Sequence, residues 1–187
     1  MGKSGAGPGE IFAMTAPHVC VRCADLGRTC CQLSGGDAEF CFPLADAERR
    51  RMLAAGAVEE AFLQVSNTPA FVRQLSMLLP RYEVEKIFTP HGRHWRLATT
   101  PAGDCVFLSR TGCSLDRAVR PAYCRLFPLW VYENRLTWFT AETCLAHREC
   151  ASAPAMLAAM NADAADTRAL FSLMCAELGL RKTGETS

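Results

Sequence analysis

The sequence predicts an α+β fold, a small irregular sheet or hairpin with several helices around a cysteine-ligated metal site. Three observations lead there. Short runs rich in β-branched and aromatic residues read as strands, while longer stretches carry apolar residues at spacings of three and four. Eleven cysteines crowd into a few segments. At 187 residues the chain suits one domain and can bury a core without a disulfide scaffold.

Taken in order, residues 1–16 read as a flexible N-terminal tail, since Gly, Ser and Pro dominate and no period is visible. Residues 17–187 read as a single cysteine-cluster domain with a C-terminal helix. Its first part, 18–43, holds five cysteines and no convincing period, so it reads as a loop-rich segment that metal would order. "ADAERRRMLAAG" predicts a helix with Asp46 as N-cap, Glu48 in the first turn and Gly56 as the left-handed stop. Within it, "RRR" at 49–51 reads as a solvated face. "TPAFVRQLSMLLP" predicts a second helix, with Thr68 capping, Pro69 at the first position and Phe71, Leu75 and Leu78 on one face. His91 and His94 in "HGRH" read as solvated loop histidines. "HWRLATT" and "CVFLS" look like strands, and "LWVYE" and "LTWFT" like a hairpin turned near Asn134. From Pro154 to Leu180 the chain reads as mostly helical. Its stripe of Met156, Met160, Ala164, Thr167, Phe171, Met174 and Leu178 is core packing.

The charge balance excludes little but points away from some partners. A formal net charge of +1 with 21% charged residues gives no electrostatic reason to expect nucleic acid or a membrane surface. "MGKSGAGPGEIFAM" lacks the apolar core of a secretory signal, and Ala6 stands where a myristoylation signal wants Ser or Thr. No apolar run reaches the length of about 18 residues that a membrane helix needs. The expected compartment is the cytosol, where thiols stay reduced. Eleven is odd, so complete internal disulfide pairing is impossible. Crowded thiols in a reducing compartment read first as metal ligands.

"CVRCADLGRTCC" supplies Cys20, Cys23, Cys30 and Cys31. The C-x2-C spacing lets a tight turn aim two sulfurs at one metal. Cys30 and Cys31 are adjacent, and neighbours in extended backbone point to opposite faces. They therefore share one site only across a sharp turn, or else serve two sites. A second group about 75 residues on supplies Cys105, Cys113 and Cys124, with Cys144 and Cys150 following the hairpin. In "CLAHREC", Cys144, His147 and Cys150 stand three apart. Either they form a small zinc site, or Cys144 joins the main cluster and His147 lies on the surface. Cys41 and Cys175 read as small buried hydrophobes.

These residues resemble the YkgJ-like cysteine-cluster family, described as a zinc- or iron-chelating domain of the CxxCxxCC type. The first part of that pattern is met by Cys20, Cys23, Cys30 and Cys31, with six residues between Cys23 and Cys30 where the family often has two. The second part is met by Cys105, Phe107, Leu108 and Cys113, then Arg120, Pro121, Cys124, Arg125, Phe127 and Pro128. Leu115 and Asp116 stand where the family has Ile and Tyr, and Cys144 matches a later family cysteine. The resemblance covers about residues 20–150 and implies a metal or cluster held by cysteines. A relative with a similar motif in a longer chain, flagellin lysine methylase, is associated with an iron–sulfur cluster. The resemblance thus also implies, distantly, a metal-dependent enzyme.

Zinc and a [4Fe–4S] cluster both accept four thiolates. Two features lean towards the cluster. Phe107, Phe127, Trp130 and Trp138 crowd the later cysteines and suggest a dry shell, and Arg125 beside Cys124 can offset cluster charge. A structural zinc site is the alternative, helped by the lack of any electron-transfer or substrate motif. No phosphate-binding loop, dinucleotide fingerprint or H-E-x-x-H is present.

Overall fold

A computed structural model describes residues 19–27, 29–34 and 36–184. The tail expected over 1–16 lies outside the described residues. The chain opens with α1 (Val19–Asp25), a 3-10 turn at Asp37–Phe40, and α2 (Asp46–Ala54). After a 3-10 turn at Glu59–Ala61 come β1 (Phe62–Ser66), α3 (Pro69–Leu78), α4 (Val84–Ile87) and β2 (Arg93–Leu97). Then follow β3 (Leu108–Ser109), β4 (Gly112–Cys113), α5 (Ala122–Leu126), β5 (Leu129–Tyr132) and β6 (Arg135–Trp138). The chain closes with α6 (Leu145–Glu149), α7 (Ala153–Ala159) and α8 (Ala164–Glu177). Helices and three antiparallel two-stranded ladders make this an α+β fold. Among the described residues no helix is long and apolar enough to cross a membrane.

Local signals explain most elements. The Thr68 hydroxyl accepts the Phe71 N–H at 3.1 Å and Pro69 starts α3, as the sequence predicts. Gly56, at φ 97°, stops α2. The N-cap of α2 is Ala45, one residue before the expected Asp46, because Glu48 reaches back to accept the Ala45 N–H at 3.0 Å. The β5–β6 hairpin turns through Glu133 and Asn134, both at positive φ, which matches the twist of the strands. The C-terminal stretch is two helices. Asn161 at φ 48° ends the first, and the Asp163 carboxylate caps the second by accepting the Ala165 and Asp166 N–H groups.

A ladder of two strands is unstable alone, so each must be covered. Among the described residues three apolar clusters cover the β1–β2 and β5–β6 ladders, while α1 packs against β4. The largest joins α3, α4, α5, β5 and α8 through Phe71, Leu75, Trp130, Phe171, Met174 and Cys175. The second joins α1, α6 and α7 through Val19, Leu145, Met156 and Met160. The third sets Met52 of α2 against Phe62 of β1, with Trp95 and Phe107 packed on it. Met52, Met156 and Met160 are fully enclosed, each burial contributing about 1.5 to 3 kcal/mol. The predicted stripe is thus shared between two clusters.

Candidate metal centre

A cavity of about 620 Å³ lies where the three clusters meet, with Val19 and Met160 on one wall, Leu44 and Phe107 on another and Phe42 and Tyr123 on a third. Nine of the eleven cysteines line it, and none of the eleven is in a disulfide. All eight cysteines expected as ligands are among them. Cys41 is the ninth.

Each wall has its own means of placing thiols. Cys20 and Cys23 sit one turn apart on α1, a helix with no apolar period, which is why the sequence suggested loop. The Cys23 thiol lies 3.8 Å from the Thr143 carbonyl, and the next residue, Cys144, is the N-cap of α6. Cys31 and Cys105 are joined through the backbone, the Cys105 N–H donating to the Cys31 carbonyl at 2.7 Å. Gln32 reinforces this by donating to the Asp104 carboxylate at 3.0 Å. Cys113 is fixed by the β3–β4 turn, where it pairs with Leu108. Cys124 lies on α5, whose first N–H, from Ala122, donates to Glu48 at 2.7 Å.

Desolvation shapes the thiol chemistry. Burial pushes Cys20 and Cys105 up to about 11 and Cys124 well above the ordinary thiol range. Cys124 and Cys30 have surface facing the cavity, yet protein encloses them at longer range, so both feel the loss of water. Cys30 and Cys31 interact directly. The Cys31 thiolate, accepting from Cys30, is held below the usual range, and Cys30 is raised. Arg120 lines the cavity and is pinned by the Leu115 and Cys113 carbonyls at 3.0 and 3.3 Å. Arg117 stands near Cys20, Arg120 and Arg125.

Arg125, expected beside the centre, is half-buried on α5 and is not among the lining residues. Of the four aromatic residues expected around the thiols, Phe107 and Phe127 line the cavity, Trp130 lies in the main core, and Trp138 packs on the second cluster. Cys175 is buried in the main core, as expected, whereas Cys41 is half-buried on the cavity beside Arg96. Cys150 caps the far end of α6, outside the lining. His147 is half-buried. Among the described residues no group of three or more His, Cys, Asp or Glu side chains is placed to hold a metal ion. The thiols ring a space without converging on a point.

The fold and this cavity define an α+β protein with a thiol-lined chamber. No family model, no curated protein and no solved structure matches the chain.

Proposed function

We propose that this chain is a metal-binding protein of the reducing cytosol. It holds an iron–sulfur cluster of the [4Fe–4S] type through its clustered cysteines, in the manner of the cysteine-cluster family it resembles. The observation that carries the reading is the gathering of nine cysteines around one cavity. Soft thiolates select iron–sulfur clusters and zinc. Thiols spread around a chamber suit a polynuclear group better than one ion, whose four sulfurs would stand about 3.5 to 4 Å apart. Apolar walls, among them Phe107 and Phe127, provide the dry shell such a cluster favours. Arg120, and Arg117 near Cys20, can offset the charge of ligating thiolates.

When bound, the cluster supplies one-electron chemistry. The chain's own residues bind and enclose it. Cys20 and Cys105, raised by burial, give up their protons on ligation, so binding weakens as pH falls. A second reading, an enzyme acting beside the metal, has one observation in its favour. The cavity volume of about 620 Å³ lies within the range of small-molecule sites, about 300 to 1,000 Å³.

Anaerobic purification followed by analysis of iron, acid-labile sulfide and zinc tests the reading. Brown protein with matching iron and sulfide is expected. Colourless protein loaded with zinc selects the structural zinc alternative, and metal-free, fully folded protein overturns metal binding. Cys175→Ala should keep full metal content and lose about 1 kcal/mol of stability, because Cys175 packs in the main core beside Tyr82 and does not line the cavity.

A further inference from the structure

The cysteines fall into two sets carried by different parts of the fold. The first is helical. Cys20 and Cys23 lie on α1, which packs against α6, and Cys144 and Cys150 bracket α6 at its two ends. All four share one apolar cluster with Val19, Leu145 and Met156. An Arg22–Glu149 ion pair at 2.8 Å clips the same two helices together. The thiols are also neighbours in space, Cys144 near Cys23 and Cys150, and Cys20 near Cys144 and Cys23.

The second set is carried on loops and turns. Cys31 is tied to Cys105 through the backbone, Cys113 pairs with Leu108 just beyond Cys105, and Arg120 links the Cys113 carbonyl to the approach of α5. Cys124 has Cys31, Cys105 and Cys113 as its neighbouring thiols. Among the described residues, none of these four belongs to the apolar cluster that holds the helical set. Cys30 has neighbours in both sets, Cys31 and Cys124 on one side and Cys20 on the other, and α1 also packs against β4, which carries Cys113. The six residues between Cys23 and Cys30 carry the chain from one set to the other.

We infer that the protein holds two thiolate centres: Cys20, Cys23, Cys144 and Cys150 ligate one, and Cys31, Cys105, Cys113 and Cys124 ligate the other. This rests on the reading that the thiols bind metal, and it goes beyond that reading by dividing them and by bringing in Cys150. Each centre takes one four-thiolate group, a cluster or a zinc ion; since no three of these side chains stand ready to hold a metal among the described residues, ligation draws each set together, with loss of the thiol protons.

The test uses the full chain, purified anaerobically and reconstituted with ferrous iron and sulfide, with iron, labile sulfide and zinc counted per chain. Two centres give about eight irons, about four irons with about one zinc, or about two zincs. Cys150→Ser and, independently, Cys23→Ser should each remove one centre and leave the other's metal and Mössbauer spectrum unchanged. Cys105→Ser should remove the complementary half. Hydrogen-exchange protection of α8 verifies that each variant is folded, and the wild-type count decides the question even where a variant fails to fold. About four irons without zinc, or about one zinc without iron, in the wild type would overturn the inference and leave single-centre binding standing. So would loss of all metal from one folded variant, or full metal in Cys150→Ser. Absence of all metal from reconstituted wild type would overturn both readings.

Discussion

His94 is a core residue, although its sequence neighbourhood reads as a loop. Its Nδ1 lies 2.8 Å from the Asn67 carbonyl oxygen, and its ring stacks on Phe71 at 4.0 Å. Asn67 uses its amide to donate to the Thr89 carbonyl, so its oxygen accepts and His94 Nδ1 carries the proton. Among the described residues Nε2 has no hydrogen-bond partner and is buried. Burial, aided by Arg96, pushes the histidine down to about 4. An unfolded chain has an ordinary histidine and binds the extra proton first. Stability from this site is complete above about pH 6.5 and is lost as pH falls towards 4, by about 3 kcal/mol in all. An NMR titration should find the His94 ring neutral down to about pH 4, and His94→Gln should flatten the acid limb of stability against pH. A ring titrating near the ordinary value would show that the site is wet. Gly103 makes a different demand. It sits at φ 91°, and a Cβ there would stand 2.5 Å from the Leu33 carbonyl oxygen. Leu33 N–H donates to the Gly103 carbonyl at 2.9 Å, in the contact that keeps Cys31 beside Cys105. Gly103→Ala should cost about 2 to 3 kcal/mol and lower metal content, measured by thermal melts and metal analysis. An unchanged melt with full metal would mean that the two loops can slide.

Glu48 links two helices with one carboxylate. It accepts the N–H of Ala45 at the start of α2 and that of Ala122 at the start of α5. Helix N-termini favour negative charge, and both backbone donors belong to buried residues. Burial nevertheless pushes the carboxyl above its ordinary range, against those two bonds. Glu48→Ala leaves two buried N–H groups unpaired and should cost about 2 to 5 kcal/mol in urea unfolding. Because α5 carries Cys124, the same variant should also exchange its Ala122 amide faster and hold metal less tightly. Retained metal with lowered stability would show that α5 is held by packing through Leu126. Arg50 and Arg51 are exposed, as a solvated arginine face requires, and Arg49 departs from that expectation. Arg49 pairs with Glu59 and lies over the Trp95 ring at 4.5 Å, and Arg51 pairs with Glu177 at 2.6 Å.

Across the whole molecule, core burial and the cavity's thiols are divided between regions. α8 buries Phe171, Met174 and Cys175 in the main core and contributes nothing to the cavity lining. The chain from 19 to 43 carries five of the lining cysteines and buries few apolar side chains beyond Val19. Ordering costs about 1 to 2 kcal/mol per residue, while thiolate ligation of a structural metal supplies about 10 kcal/mol or more. Removing metal under reducing conditions should open 19–43 to hydrogen exchange and proteolysis first, with α8 protected longest. Equal protection of 19–43 with and without metal would mean that the packing of α1 on α6 is sufficient by itself.

The sequence by itself determined what is coded within a turn or two of chain. The Thr68 cap with Pro69, the stop at Gly56, the Asn134 hairpin and the apolar stripe to Leu178 all depend on neighbours three or four residues away or on one residue's φ. Eight lining cysteines were legible because clustered thiols are rare enough to carry a signal alone. Tertiary structure decided what depends on distant partners. β1 has a strand pattern too short to stand out and forms only because β2 pairs with it residue for residue. α1 has no apolar period and is held by α6 and β4. His94 is buried because Asn67 and Phe71 surround it. Cys41 faces the cavity, while the Phe40–Phe42 flanks suggested core. The division of thiols between helices and loops is of the same kind. Spacing along a chain limits which thiols can be neighbours, but the burial of α1 against α6 and of the Cys31 loop against Cys105 sets which ones are.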